Sequence, residues 1–190
     1  LVVTMLGMHL GLLLPVYRTA ARVDGKTGTL TSVAWSERAA AELTRAAATG
    51  APLAVLLLDL DHFSAINNTR GHLAGDHALR AVAAELRRQV RDDDLVGRWG
   101  GEEFVVLLPG ADPDAARQVA ERIRAAVRAP LTDVPATGGV GDTMRITASL
   151  GVAAYPVHGG TVDELLLAAD TALYRAKNNG RDRVETAPVG

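Results

Sequence analysis

The chain has 190 residues, no cysteine, five histidines and a formal charge of −2. This length suits a single domain with a sizeable core, and the lack of cysteine excludes disulfides, thiolate catalysis and zinc sites of the Cys type. The near-neutral charge excludes a protein that coats nucleic acid through a basic surface, but it leaves a nucleotide site open.

Residues 1–14 are almost wholly apolar, interrupted by Gly7, His9 and Gly11 and followed by Pro15, Arg18 and Arg22. The run is shorter than the roughly 18 residues that mark a membrane span, and it lacks the basic leader of a signal peptide. With no initiating Met, residues 1–23 read as the end of an upstream segment. Three forms suit it: the end of a transmembrane helix, the closing piece of a sensor domain, or a dimerising helix. Residues 24–31 form a glycine-rich turn, in which Thr31 or Ser32 caps an amphipathic helix expected over 33–48.

The apolar run 53–58 closes on Asp59-Leu60-Asp61, which reads as a buried strand with acids at its C-terminal end. Alternation along a strand would point both carboxylates one way and the Leu60 carbonyl another. Ligands of open α/β sheets bind beyond such strand ends, so the acids are candidate metal ligands, although either can also cap the helix that follows. Helical periodicity then runs over 63–90 through Leu79, Val82, Ala83 and Leu86, with a break at Gly71 and Gly75. Asn67 and Asp76 flank the break. An amide beside a carboxylate matches the donor and acceptor edge of guanine, and the same residue types also serve as turns and caps.

Arg91-Asp92-Asp93-Asp94 leads into Arg98-Trp99-Gly100-Gly101-Glu102-Glu103-Phe104. The second stretch separates two strand-like runs and predicts a hairpin with acid at its tip. Glycines there permit a tight turn and close approach of phosphate, and paired carboxylates suit Mg²⁺, although an ordinary solvated hairpin has the same residues. The first stretch reads either as a solvated charged turn or as a site in which Arg91 offers a planar fork and Asp94 an acceptor to a guanine or phosphate group. A helix follows over 114–127, then a loop-rich insert at 130–142 that is expected to be mobile, a strand over 145–155 and a helix over 161–179. Gly180 supplies that helix's left-handed C-cap, where Lys177 and Arg181 either complement the helix dipole or meet phosphate.

Six ordered segments resemble the GGDEF domain of diguanylate cyclases. They are Asp59-Leu60-Asp61-His62-Phe63, Ile66-Asn67, Gly71 to Asp76, the Gly100-Gly101-Glu102-Glu103-Phe104 hairpin, Thr147 to Val152, and Ala169-Asp170 with Tyr174 to Arg181. The resemblance implies a domain over 24–187 with a tail at 188–190. The implied fold class is α/β (α+β), with a mixed central sheet, helices on both faces and a palm-like form similar to adenylyl cyclases.

The implied reaction is two GTP giving cyclic di-GMP and two pyrophosphates, with two Mg²⁺ (or Mn²⁺) per active site. Asp59, the Leu60 carbonyl and Glu102 would hold metal, and Glu103 would be a further ligand or a base. Gly100 and Gly101 would admit phosphates, and Lys177 and Arg181 would stabilise their charge. Asn67 and Asp76 would read guanine beside Phe63, while Arg91, Asp94 and Arg122 would bind product as an inhibitor.

One GTP per site implies a homodimer, controlled by an upstream sensor or membrane segment. The implied setting is cytoplasmic, either alone or as the cytoplasmic part of a membrane-anchored or multidomain protein, with no nucleic-acid partner. Ser64, Asn68, Lys26 and Thr31 stand where the family usually has Lys, Asp, Leu and Asn. These departures keep a second reading open, in which a catalytically weak domain acts as a receptor for cyclic di-GMP or GTP.

Overall fold

The computed structural model describes residues 22–129, 131–134 and 142–188. Residues 1–21 of the expected upstream segment 1–23 lie outside them, as does the middle of the insert at 130–142. The described residues form eight strands and five helices: β1 (Leu30–Thr31), α1 (Ser32–Thr49), β2 (Leu53–Leu60), α2 (Phe63–Arg70), α3 (His72–Gln89), β3 (Leu95–Gly100), β4 (Glu103–Pro109), α4 (Pro113–Val127), β5 (Leu131–Val134), β6 (Asp142–Met144), β7 (Ala148–Tyr155), α5 (Val162–Asn178) and β8 (Val184–Thr186). Six strands make one mixed sheet in the order β1-β3-β4-β2-β7-β8, and β5 pairs with β6 alone. The expected mixed sheet is therefore present.

The central strand explains its own sequence. Seven of the eight β2 residues are buried, because helices cover both faces of the sheet, so a continuous apolar run replaces alternation. Ala54, Leu56, Leu58 and Leu60 join a core with Leu79, Val82, Leu86 and Ile123 from α3 and α4. Leu53, Val55 and Leu57 face a second core with Trp35 and Leu43 of α1 and Leu165, Ala169 and Leu173 of α5. On the α5 side, Gly151 of β7 permits contact that no other residue allows: a Cβ there would stand 2.0 Å from the Ala169 carbonyl oxygen and 2.5 Å from the Leu173 nitrogen. The helix that carries Lys177 therefore packs directly on sheet backbone.

Local signals set the helix ends. Thr31 caps α1 by accepting from the Ala34 N–H, and Thr161 with Glu164 closes a full capping box on α5. The break expected within the helical stretch 63–90 falls at one of its two glycines. Gly71, at φ +82°, divides α2 from α3, while Gly75 lies inside α3. At the far end of α5, Asn179 is the cap residue and Gly180 follows it at φ +108°; the Arg181 N–H then bonds the Ala176 carbonyl.

Three expectations about strands need correction. The expected loop at 130–142 carries β5 and β6 at its ends, strands of four and three residues that are too short to show a period. The strand expected over 145–155 begins only at Ala148, because Thr147 leaves the ladder to receive the Asp61 N–H on its carbonyl oxygen. The edge strands β1 and β8, of two and three residues, gave no sequence signal. Among the described residues no helix is long and apolar enough to cross a membrane.

Candidate active site

Strands β2 and β4 run antiparallel with Asp59 opposite Glu103. The hairpin between β3 and β4 closes with Gly100 paired to Glu103, which leaves Gly101, at φ +23°, and Glu102 as the two turn residues. Glu102 thus sits at the tip and Glu103 opens the strand. The tip rests beside the end of β2, where the Leu60 N–H reaches the Glu102 carbonyl at 3.4 Å. Space around the glycines is open. A Cβ on Gly101 would meet nothing within 4 Å, and one on Gly100 would meet only the Glu103 carboxylate, at 3.7 Å.

The turn is held from behind by Arg98, which donates from Nε (3.1 Å) and a terminal nitrogen (2.6 Å) to the Gly101 carbonyl. Its other terminal nitrogen contacts both Asp24 oxygens at 3.3 Å. Asp24 in turn accepts from the Thr27 N–H and hydroxyl. The glycine-rich turn at 24–31 is therefore bolted to the acid-tipped hairpin. Trp99 adds an edge-to-face contact with the fully buried Trp35, with ring centroids 6.0 Å apart.

From the opposite side, α5 brings Lys177, whose Nζ lies 2.8 Å from Asp59 Oδ2. Arg181 follows on the exposed turn beyond Gly180, in a left-handed conformation at φ +60°. Burial raises the Glu103 pKa above the usual carboxylate range; Asp59, Asp170 and Glu102 push it the same way, against the opposing pull of Lys177. Carboxylates thus outnumber cations here, and a bound cation would relieve that field. Among the described residues no three His, Asp or Glu side chains gather closely enough to hold a metal by themselves. The donor set still fits Mg²⁺, which takes one or two protein carboxylates and completes its shell with water and substrate phosphates.

The two aspartates at the end of β2 part company. Asp61 is buried at 5 % exposure, accepting from the Thr147 hydroxyl (2.6 Å), the Ser149 hydroxyl (2.8 Å) and the Asp182 N–H (3.1 Å). It neither faces Lys177 nor caps α2, whose cap residue is His62 at φ +57°, with no side-chain bond. Asp182 is gripped by Arg124 at 2.7 Å and Arg128 at 3.3 Å. Asp61 therefore anchors the turn that carries Arg181. Sequence reasoning missed this role, although the hydroxyls of Thr147 and Ser149, spaced by two, were a visible hint of a polar partner.

Asn67 packs on Gly75, the residue before Asp76, across the α2–α3 corner. Gly75 makes this possible, since a Cβ there would lie 2.0 Å from Asn67 Oδ1 and 3.2 Å from the tip of the Phe63 ring. Phe63 is buried and belongs to the core beneath this corner. Lys26 reaches over from the first turn to place its Nζ 2.7 Å from Asp76 Oδ1, and this contact leads the causes that lower the Asp76 pKa. Ser64 and Asn68 are exposed on α2.

A separate cleft of about 180 Å³ is lined by Arg91, Asp94, Pro109, Ala115 and Arg122 among others. The Asp94 carboxylate accepts the Arg91 N–H at 2.7 Å, and burial raises its pKa. Arg122 donates to the Gln89 carbonyl. Three residues from β3's approach and α4 thus surround one concavity.

Comparisons with known proteins place the whole domain among relatives. Residues 21–183 match the family model described as "Diguanylate cyclase, GGDEF domain". Diguanylate cyclase DgcP of Pseudomonas aeruginosa is 44% identical over 171 residues, which cover 90% of this chain and 24% of DgcP. The chain spans less than half the length of the curated relatives it matches. Among solved structures, the GGDEF domain of TpbB (YfiN) from the same organism superposes with a TM-score of 0.81 at 36% identity, covering 88% of this chain and 95% of that one. The coiled coil and GGDEF domain of DgcB from Caulobacter crescentus, solved in complex with c-di-GMP, gives 0.80 at 30% identity, covering 97% and 95%.

Proposed function

This chain belongs to the GGDEF-domain family of diguanylate cyclases, and from that premise we propose that it condenses two GTP into cyclic di-GMP and two pyrophosphates. The observation that carries this reading is the acid pair Asp59 and Glu103, paired across β2 and β4 beside an open Gly-Gly turn, with Lys177 bonded to Asp59.

Asp59, the Leu60 carbonyl, Glu102 and Glu103 would hold Mg²⁺ with the triphosphate. Bound there, the metal would favour the 3′ hydroxyl as nucleophile and neutralise charge on the phosphates. Lys177 exchanges its contact with Asp59 for a phosphate oxygen, and Arg181 meets the same group from the turn that Asp61 anchors. Asn67 and Asp76 take the guanine edge. The open space around Gly100 and Gly101 lets phosphate approach the turn. Each chain offers one such site, so the two nucleotides react when two protomers face each other. The upstream segment, which joins the domain at Asp24 and therefore next to Arg98, is the natural place for a sensor to set that encounter.

Product analysis tests the reading. The purified chain at high concentration, cleared of carried-over cyclic di-GMP, is incubated with GTP and Mg²⁺ beside Glu102→Ala. Cyclic di-GMP and pyrophosphate from the wild type alone would establish the cyclase. No product from either, with tight cyclic di-GMP binding that depends on Arg91, would make the domain a receptor.

Arg91, Asp94 and Arg122 form an inhibitory site for the product in this proposal, since two guanidinium forks and one carboxylate around a cleft suit a phosphate and a guanine. Arg91→Ala is expected to weaken cyclic di-GMP binding at least about tenfold, the loss of one charge-assisted contact, and to relieve inhibition by product. Calorimetry with cyclic di-GMP checks this, and an unchanged affinity would remove Arg91 from the site.

A further inference from the structure

The contact between Lys26 and Asp76 joins residues fifty positions apart at 2.7 Å, and nothing in the mechanism above uses it. Both partners remain open to solvent, with side chains 54% and 28% exposed, so a ligand can reach them. Lys26 is placed by a stiff turn. The Asp24 N–H bonds the Thr29 carbonyl and the Gly28 N–H the Asp24 carbonyl. The Asp24 carboxylate holds Thr27 at 2.9 and 2.6 Å, and Arg87 donates to the Thr27 carbonyl at 3.0 Å. Among the described residues Asp76 takes no other hydrogen bond, so Oδ2 is available while Oδ1 is engaged.

An ammonium and a carboxylate held side by side present a donor next to an acceptor. Guanine offers the complement, an O6 acceptor beside an N1–H donor, whereas adenine turns an amino donor to the position of O6. An ammonium has three protons and keeps two for a ligand while it bonds Asp76.

We propose that Lys26 is a specificity-determining residue that donates to O6 of the guanine while Asp76 accepts from N1–H. The inference rests on the base-site reading of Asp76 given above. It assigns a role to a residue that departs from the family's usual Leu, and it places an adenine amino group against an ammonium. Lys26 therefore selects for guanine by attraction and against adenine by repulsion.

The test is calorimetric titration of the full chain with GTP, 6-thio-GTP and ATP, with Ca²⁺ in place of Mg²⁺. The set comprises wild type, Lys26→Met and Asp76→Ala. The 6-thio analogue keeps N1–H and the 2-amino group but replaces O6 with a weak acceptor. The expected result is that wild type prefers GTP over 6-thio-GTP by roughly tenfold or more, the scale of one hydrogen bond from a charged donor. Lys26→Met should lose GTP affinity by the same factor and no longer distinguish the two, with an unchanged melting temperature.

GTP affinity that is unchanged or improved in Lys26→Met, while Asp76→Ala loses it, would overturn the role of Lys26 and leave the base site standing, with the lysine merely covering the carboxylate. Affinity unchanged in both variants would overturn the base site as well.

Discussion

Glu103→Gln is expected to reduce cyclic di-GMP formation by about a thousandfold or more while making the protein harder to unfold at neutral pH. The activity loss follows from removing a carboxylate proposed to carry metal and triphosphate, a contribution of several kcal/mol to the barrier. The gain in stability follows from the field in the cleft. Glu103 is half-buried beside Asp59, with Asp170 and Glu102 adding to the negative charge and only Lys177 opposing it.

Its pKa is therefore raised in the folded chain above the unfolded value of 4.5. A carboxyl of this kind supports the fold while it keeps its proton, and that support is fully present below about pH 4.5. It is lost as pH rises through the raised value, because the unfolded chain then releases the proton more readily. Glutamine stays neutral throughout. Melting curves in EDTA, which keep metal out of the comparison, should give Glu103→Gln a higher midpoint than wild type at pH 7 and an equal one near pH 4. Equal midpoints at both values would show that the acids do not strain one another.

Asp61→Ala should produce the largest loss of stability, about 3 kcal/mol, because it removes a buried charge that three donors address. The Ser149 hydroxyl is fully buried and the Thr147 hydroxyl half-buried, so neither can replace the carboxylate with bulk water. For a domain of this size about 3 kcal/mol corresponds to a fall in melting temperature of roughly 6 to 12 °C. Asp61→Asn keeps the shape and one acceptor, and hydroxyl groups can turn to accept as well as donate, so its cost should be well under half as large. The alanine variant should also bind GTP more weakly, since the Asp61–Asp182 bond fixes the turn next to Arg181. A melting temperature within 2 °C of wild type would show that the polar cluster is dispensable.

Much of the site was legible because its signals are local. A two-residue turn needs Gly101 where φ is +23°, a strand buried on both faces must be apolar along its length, and a helix cap requires Thr31. These demands act between near neighbours, so they leave spacing in the chain. The acids of the hairpin and of β2 were visible for the same reason, as breaks in apolar runs.

Alternation misled at Asp61. It assumes that a strand continues, whereas β2 ends at Leu60 and the Asp61 N–H goes to the Thr147 carbonyl. One aspartate turns to Lys177 and the other to Thr147, Ser149 and Asp182. Lys26 likewise gave no sign of its partner, because a turn residue and a helix residue fifty positions apart share no period.

By itself, then, the sequence determined the helices and the longer strands, the acid-tipped hairpin and the family. Only the tertiary structure decided which acid faces the cleft, that Arg98 ties the first turn to the hairpin, that Arg91, Asp94 and Arg122 surround one cavity, and that Lys26 stands on Asp76. Those contacts are set by how helices and strands pack, and charged side chains on different elements pair according to distance in space, which spacing along the chain does not encode.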